Sequence, residues 1–237
     1  MSKLKYLAII PARGGSKGVP NKNIRTIHGH PLIAWSIRQA LDVPSIVNVV
    51  VSTDSNEIAE IAVEYGAEVP FVRPTELAQD QTPTEPVMTH AINWYKAQGV
   101  KHDAVILLQP TSPVRLLGNL QRAIDYFESE QASSLLSVCE NHAFFWQKTS
   151  PVSASYDFNN RPRRQDIMGD QRWYKETGSI YITLLHAFEN SQNRLVQPIS
   201  PFEMDQVESY EIDTEIDFDV VETLMKSSAL LLPVNKR

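Results

Sequence analysis

Tyr6-Leu-Ala-Ile-Ile-Pro-Ala-Arg-Gly-Gly-Ser-Lys-Gly-Val-Pro-Asn-Lys-Asn23 joins a short apolar run to a loop rich in glycine and cations. The run Tyr6 to Ile10 reads as a buried strand. Helix-like periodicity resumes at Pro31-Leu-Ile-Ala-Trp-Ser-Ile37, which sets the loop at the carboxyl end of a strand, where open α/β sheets bind ligands. Gly14, Gly15 and Gly18 allow backbone amides to approach an anion closely, and Arg13, Lys17, Lys22 and Arg25 add cations with no acid between them. The expectation is a phosphate-holding loop; a basic, solvated turn is the plainer alternative. The P-loop spacing is absent because the lysine precedes the last glycine, and Gly-x-Gly-x-x-Gly is absent as well. Both absences weigh against a kinase or a dehydrogenase.

From this loop outward, strand-like runs alternate with amphipathic segments. Val47 to Ser52, Asp103 to Leu108, Ser133 to Val138 and Gly178 to Thr183 read as further strands. In Asn56 to Tyr65 the residues Ile58, Ile61, Ala62 and Tyr65 fall on one helix face, as do Leu117, Leu120, Ile124 and Phe127 later. The chain closes with a helix over Thr214 to Leu224, whose first turn carries Glu215 and Asp217. The alternation predicts an α/β fold: a mainly parallel sheet with helices on both faces. From about Glu140 to Arg172 the texture turns aromatic and arginine-containing without steady period. It reads as an inserted subregion, suited to substrate cover or subunit contact, within one domain over residues 1–237.

Composition narrows the classes. At 237 residues and 42% hydrophobic content the chain has enough material for a proper core. A formal net charge of -6 weighs against non-specific binding to nucleic acid or to an anionic membrane. The single Cys139 excludes an intrachain disulfide framework and suits a reducing cytoplasm. No signal peptide and no membrane span is expected, since Pro11-Ala-Arg13 interrupts the first apolar run.

Three further places offer chemistry. Leu108-Gln-Pro-Thr-Ser-Pro-Val-Arg115 contains two prolines that end a sheet ladder, which should leave Gln109, Thr111 and Ser112 exposed at a strand tip. Glu211 and Asp213 stand at i and i+2; on an extended strand they share a face and suit a hard cation, Mg²⁺, although Asp213 and Thr214 also read as helix-capping residues. Arg161, Arg163 and Arg164 form a basic cluster able to fork a carboxylate, or a solvated charged loop. The six histidines are dispersed and show no metal-ligand spacing.

The loop resembles the N-terminal signature of sugar nucleotidyltransferases, most closely the cytidylyltransferases that activate sialic-acid-like sugars. Ser52-Thr-Asp54, Phe71-Val-Arg-Pro-Thr-Glu-Leu-Ala-Gln-Asp80, Gln109-Pro-Thr-Ser-Pro113 and Glu211-Ile-Asp-Thr214 look like landmarks of the same family in the same order. The resemblance implies a Rossmann-like nucleotidyltransferase fold, CTP and an acidic nine-carbon sugar as substrates, Mg²⁺ as cofactor and a homodimer. N-acetylneuraminate is the leading substrate it implies, followed by legionaminate and other bacterial nonulosonates, with the eight-carbon Kdo behind them; a binding module that has lost turnover is the non-enzymatic alternative. The nucleotide is expected on Arg13, Gly14, Gly15, Ser16, Lys17, Lys22, Asn23 and Arg73, the sugar on Gln109, Ser112, Arg164 and Tyr181, and the metal on Asp213 and Glu211. Arg13, Lys22 and Asp213 are the expected catalytic groups. Two departures from the family pattern stand out: Glu211 where relatives often carry Asp, and Thr177 where many have Asn before the glycine.

Overall fold

Strand β1 (Tyr6–Pro11) turns Tyr6, Ala8 and Ile10 into one hydrophobic cluster and Leu7 and Ile9 into another, and all five are buried. A strand covered on both faces has to be apolar throughout, which is why the run shows no polar alternation. Leu7, Ile9 and Ile10 each contribute roughly 1.5–3 kcal/mol by leaving water.

In the computed structural model, which describes residues 4–16 and 18–226, β1 is followed by the small ladder of β2 (Thr26–Ile27) and β3 (His30–Pro31). Next come α1 (Leu32–Leu41), β4 (Ile46–Ser52), α2 (Asn56–Glu64), α3 (Thr84–Ala97), β5 (Ala104–Leu108), α4 (Asn119–Glu130) and β6 (Ser134–Asn141). A second small ladder, β7 (Trp146–Gln147) with β8 (Ser153–Ala154), precedes β9 (Trp173–Leu184), α5 (Leu185–Ser191), β10 (Ile199–Glu203) and α6 (Glu215–Met225). The main sheet has the order β10-β6-β9-β5-β1-β4. Helices α1, α2, α4 and α6 pack with Tyr6, Ala8 and Ile10 on one face, and α3 and α5 with Leu7 and Ile9 on the other.

β1 pairs in parallel with both β4 and β5, and β10 with β6, as the α/β alternation predicts. β9 is the exception, antiparallel to both β5 and β6. The chain returns from β6 to β9 without a crossover helix, through residues 142–172, and a return of that kind reverses direction. The chain leaves β1 for β4 on one side and comes back as β5 on the other, so the sheet has its topological switch point at the carboxyl end of β1, where the glycine loop begins.

β6 and β9 stay paired out to Asn141 and Trp173, forming a two-stranded arm that carries residues 142–172. Phe145, Trp146, Phe158 and Trp173 are exposed on it. Phe144 belongs to the arm's own packing: its ring lies 4.3 Å from that of Tyr156, with the Arg161 guanidinium 4.5 Å above it.

Several boundaries differ from expectation for local reasons. Helix α4 starts at Asn119, because Gly118 at φ 81° turns the chain out of helix, and Leu117 is exposed rather than on the buried face. Residues 211–213 are not a strand; they are an irregular lead-in to α6, where Thr214 caps the helix and forms a capping box with Asp217. Helices α3 and α5 and strand β10 were not predicted. The α3 signal was present in Val87, Met88, Ala91, Ile92 and Tyr95, all buried on one face.

Candidate active site

A cleft of about 320 Å³ opens at the switch point, between the glycine loop, residues 73–84, the turn after β5 and Asp213. Arg13, Ser16, Lys22, Asn23, Arg73, Gln109 and Asp213 all line it, so seven residues proposed from sequence come together from four separate segments. Each is held by identifiable contacts. Asn23 donates through Nδ2 to the Arg13 carbonyl at 3.0 Å, fixing the backbone from which the Arg13 guanidinium reaches into the cleft. Lys22 donates through Nζ to the Ile212 carbonyl at 2.6 Å and stands 3.5 Å from Asp213 Oδ1. Arg73 is almost fully buried; its Nε donates to Ser52 Oγ at 3.1 Å and its Nη2 to the Ser52 carbonyl, so the guanidinium caps the end of β4. Burial lowers its pKa to about 10, against the opposing pull of Asp54.

The run of cations is free of acids only along the chain. In space Arg13 is paired with Asp80, the Gly14 N–H donates to Asp54 Oδ1 at 3.0 Å, and Lys22 faces Asp213. The Gly14 amide is thus turned to a carboxylate of the fold rather than into the cleft. Gly14 and Gly15 do not take up positive φ either. At residue 18 the requirement is close approach: a Cβ there would stand 2.1 Å from the Asp213 carbonyl oxygen. Asp80 and Asp54 are site groups that the residue-level argument missed, although both lie in quoted landmark segments. Lys17 lies outside the described residues.

The turn after β5 divides its residues between two roles. Gln109, Pro110 and Thr111 line the cleft. Ser112, expected at the exposed tip, is fully buried, and its Oγ donates to the Thr177 carbonyl at 3.3 Å, because the turn folds back onto β9. The Thr111 carbonyl accepts from the Ile212 N–H at 2.9 Å and so ties the acidic segment to the turn.

Glu211 sits against Gly178, where a Cβ would come within 2.6 Å of its Oε1. Burial raises its pKa first, Lys175 opposes, and Asp213 and Glu176 raise it further. The two carboxylates therefore sense each other, although Glu211 does not itself line the cleft. Tyr181 is also turned away from the cleft: it is buried on the α3 and α5 face, donates its hydroxyl to Glu176 and lies 4.8 Å beneath the Arg194 guanidinium. Burial and the Glu176 contact push its pKa up. Arg164 is exposed on the arm and lines a different hollow, with Glu140, His142 and Arg172. Among the described residues no three His, Cys, Asp or Glu side chains converge as a metal cage, so any cation here would take its remaining ligands from substrate and water. No described helix is long and apolar enough to cross a membrane.

A mainly parallel sheet with a cation-lined cleft at its switch point defines an open α/β protein with its ligand crevice at the carboxyl ends of the strands. Among solved structures, a CMP:2-keto-3-deoxy-manno-octonic acid synthetase complexed with CTP superposes with a TM-score of 0.68 at 19% identity, covering 94% of this chain and 99% of that one. The cytidylyltransferase family model matches residues 7–233, and the chain belongs to that family. CMP-N,N'-diacetyllegionaminic acid synthase of Legionella pneumophila is 34% identical over 237 residues, spanning 94% of this chain and 97% of that protein. N-acylneuraminate cytidylyltransferase B of Danio rerio is 34% identical over 221 residues, 91% of this chain and 50% of the longer fish protein.

Proposed function

We propose that the chain transfers a cytidylyl group from CTP to an acidic nine-carbon sugar: the anomeric hydroxyl attacks the α-phosphorus, and CMP-sugar and pyrophosphate are formed. The observation that carries this reading is the meeting of Arg13, Lys22 and Arg73 with Asp213 and Gln109 in one cleft. Arg13 and Lys22 take the charge that builds on the departing pyrophosphate, since phosphoryl-type transfer is governed mainly by positioning and charge neutralisation. Gln109 and Thr111 present an amide and a hydroxyl to the sugar from the opposite wall.

Asp213 and Glu211 fit Mg²⁺ by their chemistry: two hard oxygen donors, one exposed beside the cleft and one half-buried behind it. Asp213 is the direct ligand in this reading and Glu211 the second. Bound there, the cation would neutralise phosphate charge. Tyr181 and Ser112 support the sugar wall from behind through β9 and the turn. Arg164 stands outside the cleft, so its contact with the sugar requires either closure of the arm or the arm of a second copy. The exposed Phe145, Trp146, Phe158 and Trp173 favour the second copy and a homodimer. Sedimentation at micromolar concentration checks this; a monomer would leave Arg164 without a route to the sugar other than arm closure.

N-acetylneuraminate and N,N'-diacetyllegionaminate are the two sugars to separate. The second is favoured by the relative of that name, which matches nearly end to end. A panel of CTP, UTP, ATP and GTP crossed with both sugars, pseudaminate and Kdo, read by pyrophosphate release with Mg²⁺, is the test. Release with CTP and a nine-carbon sugar is expected. Nucleotide binding without release from any sugar would make this a binding module instead.

A further inference from the structure

We propose that Arg115, which does not line the cleft, is the positioning residue that holds the sugar-facing wall in register with the metal-facing acid. The proposal rests on the function given above. Arg115 is 2% exposed, and its two terminal nitrogens bind three separate parts of the fold. Nη1 donates to Ser36 Oγ at 3.1 Å and to Gln39 Oε1 at 2.8 Å, both on α1. Nη2 donates to the Gln109 carbonyl at 3.1 Å and to the Ser179 carbonyl at 2.9 Å. Gln39 in turn donates through Nε2 to the Pro113 carbonyl at 3.2 Å, so the turn is gripped at both ends.

These contacts close a ring. From Gln109 the turn runs to Thr111, whose carbonyl binds the Ile212 N–H; Glu211 beside it packs on Gly178, and Ser179 returns to Arg115. Gln109, Thr111 and Asp213, the groups assigned to sugar and metal, all hang from this ring; the glycine loop touches it only at its far end, where Lys22 binds the Ile212 carbonyl and Gly18 meets Asp213, while Arg13 and Arg73 are held separately by Asn23 and Ser52. A charge kept in the core without a direct ion pair is costly, and a well-packed aliphatic side chain would fill the same space. Retaining a guanidinium there makes sense where four directed hydrogen bonds are needed at once. Burial lowers the Arg115 pKa to about 9, with the fully buried Glu208 nearby opposing the shift.

The test uses Arg115→Lys, which keeps the charge but not the fork, and Gln39→Leu, which removes one of its supports, in full-length protein. KM for CTP and for the acidic sugar are measured separately by pyrophosphate release, with melting temperature on the same samples. The expected result is a sugar KM raised roughly tenfold, the scale of one well-made hydrogen bond, with the CTP KM within about twofold of wild type. Parallel shifts in both KM values, or a lower melting temperature with both unchanged, would overturn it and leave Arg115 a core-stabilising residue. Wild-type protein that releases no pyrophosphate from CTP with any acidic sugar would instead overturn the functional reading, and the positioning role with it.

Discussion

Gly18 lies directly beneath the carbonyl of Asp213, with room for no Cβ between them: one added at residue 18 would be 2.1 Å from that oxygen. The glycine loop and the acidic segment before α6 thus meet backbone to backbone. Lys22 fastens the same junction through its bond to the Ile212 carbonyl at 2.6 Å. The spacing between loop cations and Asp213 depends on this contact.

Gly18→Ala should push the two segments apart. Overpacking of this kind costs about 1–3 kcal/mol of stability, and turnover should fall by at least about tenfold because a small displacement of catalytic groups is expensive. Thermal melts and steady-state pyrophosphate release measure the two effects. Unchanged turnover would mean that the junction tolerates displacement.

Lys22→Ala should lower turnover by about 10²–10³-fold through loss of charge stabilisation. The fold should survive, since the residue opens a single short turn of 3-10 helix and belongs to neither hydrophobic cluster. Circular dichroism together with single-turnover rates tests this, and near wild-type turnover in folded protein would remove Lys22 from the mechanism.

Asp80 is paired with Arg13 at the edge of the cleft. Asp80→Asn should release the guanidinium and tighten binding of inorganic tripolyphosphate by several-fold, because the incoming anion no longer displaces a carboxylate. Titration calorimetry at fixed salt reads this directly. Weaker binding in the variant would show that Asp80 orients Arg13 for the anion rather than competing with it.

Glu211 sets a pH dependence whose sign is opposite to that of most paired carboxylates. Its folded pKa is raised by burial, so the native chain holds this proton more tightly than the unfolded chain. Its contribution to stability is present at low pH and is lost as pH rises from the ordinary carboxylate range through the raised value. Glu211→Gln should flatten that decline in melts without metal. Mg²⁺ should stabilise wild type increasingly over the same interval, as ionised ligands become available, and Asp213→Asn should abolish that gain. Equal Mg²⁺ stabilisation of wild type and Asp213→Asn would place the metal elsewhere.

Much of the frame was legible residue by residue. The continuous apolar run of β1, the prolines ending β5 and the Thr214 cap are local signals, each set by sterics or by hydrogen bonding within a few residues. The same locality explains why Arg13, Lys22 and Gln109 could be singled out: Arg13 and Gln109 sit just past the ends of strand-like runs and Lys22 in the glycine loop after the first, and strand ends at a switch point face the ligand crevice. Periodicity also located the helical faces, although Gly118 moved the start of α4 through its positive φ.

The chain by itself therefore determined its α/β class, its family and a shortlist of cleft residues. Only the tertiary structure decided that β9 runs antiparallel, that Ser112 and Tyr181 point inward, that Arg164 stands on an arm away from the cleft, and that Arg115 joins α1 to β5 and β9. It also decided that the acid-free loop meets Asp54, Asp80 and Asp213. The physical reason is range: backbone sterics and side-chain period act over a few residues, whereas the partner of a buried guanidinium or a loop cation is set by which distant segments the packed sheet brings within hydrogen-bond reach.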